Sequence, residues 1–220
     1  MLDGSRRHCL LSTCAALAAV LVASPAIAQR LTGSYGLAHS DHALIGTLGG
    51  YDLQLMSPRL GVVSGALSVG RHRGSHLRTG IACVGLIPPG DSCPTEQLRD
   101  EATTTEVAGT LDVALFRQMI SGALIEGTAA VGMQALQVKS SSRGQVIGNQ
   151  IEAERTRFGP TFSFEMTARP KRAIPVGVSL GISGGAYGDT QERVLDGYAP
   201  FEEGFSVTRV EVGLVLFIRS

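Results

Sequence analysis

From Val210 to Ile218 every second residue is apolar, with Val210, Val212, Leu214, Leu216 and Ile218 on one face and Arg209, Glu211, Gly213, Val215 and Phe217 on the other. A helix would space its apolar residues three and four apart, so this period of two dictates a strand. The same alternation sets Phe158, Pro160, Phe162, Phe164 and Met166 against Arg157, Gly159, Thr161, Ser163 and Glu165. It also sets Ile174, Val176, Val178, Leu180 and Ile182 against Pro175, Gly177, Ser179, Gly181 and Ser183. Weaker runs over 31–38, 43–56, 60–72, 107–116 and 119–138 bring the expected strands to eight. Most exceed the roughly five or six residues of a soluble strand. They match the about 9–11 residues that a tilted strand needs to cross a bilayer.

The chain starts differently. Arg6, Arg7 and His8 form a basic start, Cys9 to Ala23 is almost wholly apolar, and Ala26-Ile27-Ala28 places small residues where a signal peptidase reads. This pattern predicts a secretory signal peptide over residues 1–28, leaving one domain over residues 29–220. The apolar run, about 15 residues, is short of the about 20 that a helical span needs. Loss of Arg6, Arg7 and Asp3 moves the formal net charge from 0 to −1. Near-neutrality, with 44% hydrophobic and 17% charged residues, excludes a strongly basic nucleic-acid binder and a charged disordered tail. In an exported and therefore oxidising setting, Cys83 and Cys93 around Pro88-Pro89-Gly90 read as a disulfide closing a small loop. Metal binding by the pair lacks a His or further Cys at ligand spacing.

The links between strands run over 39–42, 57–59, 73–105, 117–118, 139–150, 168–173 and 188–204, and after the first they alternate between short and long. An up-and-down barrel shows this when one rim faces the periplasm and the other the outside. On its strand pattern, loop alternation and leader, the chain resembles the small eight-stranded outer-membrane barrel proteins of Gram-negative bacteria, across residues 29–220. The resemblance implies an all-β, eight-stranded antiparallel up-and-down transmembrane β-barrel with short periplasmic turns and longer extracellular loops. It implies residence in the outer membrane, contact with outer-membrane lipid and lipopolysaccharide, and assembly by the outer-membrane insertion machinery. The chain departs from that pattern in having no Trp for an interfacial girdle and in ending Phe217-Ile218-Arg219-Ser220, with its last aromatic three places early.

With the apolar face toward lipid, Asp52, Asp112, Glu126, Arg155, Arg157, Glu165, Arg209 and Glu211 fall on the inward face. A midplane arginine facing lipid would cost about 2–4 kcal/mol, and an unpaired buried charge is costly as well. The expectation is an internal salt-bridge and hydrogen-bond network that plugs the barrel, since eight strands enclose just enough room for side chains. The opposite assignment would turn Phe158, Phe162, Phe164, Val176, Val178 and Leu180 inward, as in a soluble lipocalin-like ligand-binding barrel, and periodicity alone does not separate the two.

Two clusters gather hydrolase-type residues near the outer rim: His39-Ser40-Asp41-His42, and His72 with Ser75 and His76. They raise the alternative of a lipid-modifying enzyme of deacylase or acyltransferase type. Residues one to four apart in a polar loop do not by themselves form nucleophile, base and orienter, so both read as solvated histidines. No catalytic, cofactor-binding or metal-ligating set is expected. The basic run Arg71-His72-Arg73, with His76 and Arg78, suits contact with lipopolysaccharide phosphates through charge-assisted bonds. The expected function is that of an integral outer-membrane barrel with a structural or surface-interaction role.

Overall fold

The period of two closes on itself. In the computed structural model, which describes residues 30–42, 45–81, 95–146, 148, 150–170, 175–188, 191–194, 197–200 and 204–218, ten strands are formed. They are β1 (Arg30–Ser40), β2 (Thr47–Met56), β3 (Val63–Ile81), β4 (Thr95–Ile120), β5 (Ala123–Gly144), β6 (Gln150–Pro170), β7 (Val176–Tyr187), β8 (Gln191–Val194), β9 (Gly197–Pro200) and β10 (Phe205–Phe217). Eight of them make a closed antiparallel ring in the order β1-β10-β7-β6-β5-β4-β3-β2, and β8 and β9 pair as a separate hairpin. Closure is what lets a sheet lie in lipid, because no edge is left with unpaired backbone groups. The expected leader and the Cys83–Cys93 pair lie outside the described residues.

Across the middle of the ring the apolar residues face outward. Tyr35 and Leu37 on β1, Leu53 on β2, Val69 on β3, Leu111 and Val113 on β4, Val131 and Met133 on β5, Phe162 on β6, Leu180 and Ile182 on β7 and Val212 and Leu214 on β10 are all exposed. Their neighbours along the chain, such as Asp52, Asp112, Thr128, Thr161, Ser179 and Arg209, are buried inside. Five of the residues that a soluble calyx would enclose, Phe158, Phe162, Val176, Val178 and Leu180, therefore stand on the outer surface. An outside of this composition is the surface of a membrane-spanning barrel.

Several strand limits differ from those read in the sequence. The turn expected at Arg117–Gln118 lies at Ser121–Gly122, because β4 runs on to Ile120. A register shift between Ala114 and Phe116 upsets the alternation just before it. Both Ser121 (φ 49°) and Gly122 (φ 84°) are left-handed, the conformation that a two-residue hairpin with the right twist demands. The link expected over 73–105 is instead mostly strand, since β3 continues to Ile81 and β4 starts at Thr95. Likewise β5 extends to Gly144, β6 starts at Gln150, and the link expected over 188–204 contains β8 and β9.

The missed extensions share one cause, an inversion of polarity between the two faces along an unbroken pleat. On β5 the inward residues change from Thr128, Ala130 and Gln134 to Leu136 and Val138, while outward Val131 and Met133 give way to Gln137 and Lys139. On β10, Phe205 and Val207 are buried with Ser206 and Thr208 outside, and two residues on Arg209 is buried with Val210 outside. Below that level the strands face lipid; above it they face water. Placing a charge on the lipid side tests this directly: Leu111→Arg should lower unfolding stability in bilayers by about 2–4 kcal/mol, whereas Gln137→Arg, on the watered side, should leave it within about 0.5 kcal/mol, both read by denaturant titration of the folded barrel.

Candidate functional site

The barrel interior is filled in three levels. At the short-turn rim, Arg59 from the β2–β3 turn meets Glu126 of β5 in a two-pronged pair, Nη1 to Oε2 at 2.7 Å and Nη2 to Oε1 at 2.5 Å. Just above, Arg30 at the start of β1 spans the lumen to Glu165 of β6, while donating to Thr167 Oγ1 at 3.3 Å and Gln54 Oε1 at 3.4 Å. Arg30 is only 3% exposed and Glu165 16%, so the guanidinium lies away from bulk water while the carboxylate borders the lumen cavity. Asp112 accepts from Thr110 Oγ1 at 2.6 Å, and Glu211 accepts from Ser34 at 2.8 Å and Ser183 at 3.1 Å.

The second level holds Glu106, which takes Gln134 Nε2 at 2.6 Å and the guanidinium of Arg209 on one carboxylate oxygen. Beside it, His72 Nε2 stands 3.1 Å from Asp52 Oδ2. Between the two levels lies a cavity of about 90 Å³ bordered by Asp52, Glu106, Asp112, Glu165, Arg209 and Glu211, room for a few waters.

The third level is apolar. Ala38, Ile45, Leu48, Ala102, Leu136, Val138, Tyr187, Phe205 and Val207 form a core inside the long-loop mouth, with the Tyr187 and Phe205 rings stacked at 4.9 Å. His42, in the turn between β1 and β2, packs its ring edge-on to Phe205 at 5.2 Å. Burial pushes its pKa down from 6.5 to about 4, against the opposing pull of Asp41.

Of the residues expected inside, Asp52, Asp112 and Arg209 are buried, and Glu126, Glu165 and Glu211 are half-buried with partners. Arg157 is half-buried with its Nε enclosed. Arg155 does not join them: it is exposed, and its guanidinium donates to the Glu154 carbonyl at 3.1 Å. It lies on the β6 extension above the inversion, where the inner face is no longer walled by β7, whose pairing with β6 spans only Thr161 to Ala168 on the β6 side. The interior network expected from the sequence does not name Arg30, Arg59, His72, Glu106 or Gln134, and His72 is read there instead as a rim histidine. Glu106 shares the parity of Asp112 on β4 and His72 that of Ser64 on β3, signals that alternation carried; Arg59 sits in a turn, where parity says nothing.

The two histidine clusters are split by the same geometry. His39 is exposed and contacts Thr47 Oγ1 at 3.0 Å, whereas His42 is buried, and Asp41 accepts from the backbone N–H and hydroxyl of Ser206 at 2.8 and 3.1 Å. Ser75 faces outward while His72 and His76 face inward, His76 standing 3.6 Å from Asp100, which also takes Arg78 Nε at 2.5 Å.

The chain is thus a small eight-stranded β-barrel of the membrane-spanning kind. Among solved structures it is similar to Neisserial surface protein A, at 10% identity over 86% of this chain and 96% of that one, with a TM-score of 0.46. It is also similar to Ail, the attachment invasion locus protein of Yersinia pestis, at 9% identity over 86% and 99% with a TM-score of 0.45. A further likeness is to the N-terminal β-barrel domain of Pseudomonas aeruginosa OprF, at 8% identity over 86% and 99% with a TM-score of 0.38. No family model and no curated protein matches the chain.

Two outcomes follow. Breaking the Arg30–Glu165 pair by Arg30→Met should destabilise the barrel by about 3 kcal/mol, and the double variant Arg30→Met with Glu165→Gln should recover most of that loss, read as a double-mutant cycle. Because His42 is held neutral in the folded state, its contribution is intact above pH 6.5 and is lost as pH falls toward about 4; His42→Leu should remove that part of the decline in denaturation midpoint between those values.

Proposed function

We propose that the protein is an integral outer-membrane barrel with a structural or surface-contact role, its lumen plugged by polar side chains so that solutes do not pass. The observation that carries this reading is the four-stranded sheet of β3 to β6, which rises past the apolar band into water. Its outer face carries exposed Arg71, Arg73, Arg99, Lys139 and Arg143 beside Glu101, Glu152 and Glu154, so it offers polar contacts of both signs rather than a single-sign patch. Arg71 comes two residues after Val69, at the upper edge of the apolar band, and pairs across the sheet with Tyr51. That is the height at which lipid phosphates lie, and it suits Arg71 and Arg73 to lipopolysaccharide phosphates. His72, His76 and Arg78 point to the other face and take no part in this contact.

In this reading residues 1–28 are removed as a secretory leader, the short-turn rim faces the periplasm, and Cys83–Cys93 forms a disulfide in the loop between β3 and β4. The support for a plug is physical: the ion pairs and the apolar core stand across the lumen at successive levels, and an eight-stranded ring leaves little width beside them.

Cell fractionation with unboiled and boiled gel samples tests the whole. The expected outcome is a detergent-extractable outer-membrane protein with N-terminus Gln29, a mobility shift on boiling and no stable conductance in a planar bilayer. A chain that is soluble without detergent and unshifted by boiling overturns the barrel reading, and a steady ion current overturns the plug.

A further inference from the structure

We infer that Asp52, His72 and Glu106 form a binding site for a divalent transition-metal ion inside the barrel, a site independent of any surface role. One carboxylate oxygen of each acid and one imidazole nitrogen all lie within 4.8 Å of one another. Atoms bound to one ion at about 2.0–2.2 Å stand roughly 3–3.5 Å apart, and His72 Nε2 and Asp52 Oδ2 are at 3.1 Å already. The set contains an imidazole and two carboxylates from three adjacent strands, a donor set that suits Zn²⁺, Mn²⁺ or Fe²⁺.

Three observations point to a ligand here. His72 is 1% exposed; its Nδ1 makes no hydrogen bond among the described residues, and its Nε2 faces Asp52 Oδ2 at 3.1 Å without hydrogen-bond geometry. A buried imidazole left that way is unfavourable unless another group takes its lone pair. The site is also cleared for these side chains. Asp52, Gly70 and Glu106 are register partners on β2, β3 and β4, and a Cβ on Gly70 would collide with the Asp52 carboxylate. A Cβ on Gly50 would stand 2.5 Å from His72 Cδ2. Finally, the charge around the site calls for a cation. The inward carboxylates Asp52, Glu106, Asp112, Glu126, Glu165 and Glu211 outnumber the inward guanidiniums Arg30, Arg59, Arg157 and Arg209.

Arg209 and Gln134 both hold the same oxygen of Glu106, which orients the carboxylate and leaves its other oxygen for the ion, as partners behind a ligand commonly do. The adjoining cavity, about 90 Å³ and bordered by Asp52 and Glu106, supplies water for the remaining coordination positions. The rival arrangement is a protonated His72 paired with Asp52, with no metal.

The mature chain, folded into detergent, stripped with chelator and checked for folding by its mobility shift, is titrated with Zn²⁺ by calorimetry. The expected result is one ion per chain, with affinity lowered at least tenfold in His72→Gln and in Asp52→Asn. Wild-type protein loaded with Co²⁺ provides the second measurement, should either variant fail to fold: X-ray absorption should show one imidazole nitrogen among oxygen ligands, and Zn²⁺ should displace the visible bands. No stoichiometric uptake, equal binding by both folded variants, or a cobalt shell without imidazole overturns the site and leaves the protonated His72 pair.

Discussion

The structure depends on what the outer face of each strand meets. In hydrocarbon, backbone groups find no water, so the sheet must close and its outward side chains must be apolar. Both conditions are met over the same stretch of chain: the ring is continuous through β1, β10 and β7, and the exposed residues there are Val, Leu, Ile, Tyr and Phe. Where β3 to β6 outrun the other strands, neither condition applies. There the outer face turns to Arg, Lys, Glu, Gln and Thr, and the inner face of β4 and β5 takes Leu98, Ala102, Leu136 and Val138. One sheet therefore serves two solvents, and the change of polarity on a single strand marks the boundary between them.

Turning the apolar face outward forces the polar residues together. Three carboxylates of the lumen are matched by a guanidinium: Glu165 by Arg30, Glu126 by Arg59 and Glu106 by Arg209. Removing one member of such a pair is more harmful than never having had the pair, because the survivor keeps its burial without its partner. Inward glycines belong to the same design. Gly70 and Gly50 lie where neighbouring side chains from β2 and β3 must cross, and a methyl group at either would occupy the space of Asp52 or His72. The apolar core beneath the long loops then covers the polar levels on that side, with Phe205 between His42 and Tyr187.

Much of this was legible in the sequence, within definite limits. The alternation on β6, β7 and β10 is regular because their apolar faces meet lipid along most of the paired length. Its failure around Leu115 and Phe116 reflects a register shift, which moves later residues to the opposite parity, and so the β4–β5 turn was misplaced by four residues at its start. The upper halves of β3, β4 and β5 resembled loops because a strand with water outside and a small core inside lacks a long apolar stripe. Parity put Asp52, Asp112, Glu165, Arg209 and Glu211 on the correct face. It put Arg155 there too, but parity does not reveal that the wall opposite Arg155 has ended.

The sequence by itself determined that this chain forms long antiparallel strands joined in series, and which residues share a face. Those properties follow from local geometry, since successive side chains on an extended backbone point in opposite directions. Only the tertiary structure decided which face is the inside, because closing the ring either way satisfies the same period. It also decided which charges meet. Asp52, His72 and Glu106 come from three strands and Arg209 from a fourth, far away in the chain, and their convergence depends on register and on the glycines between them, neither of which periodicity encodes.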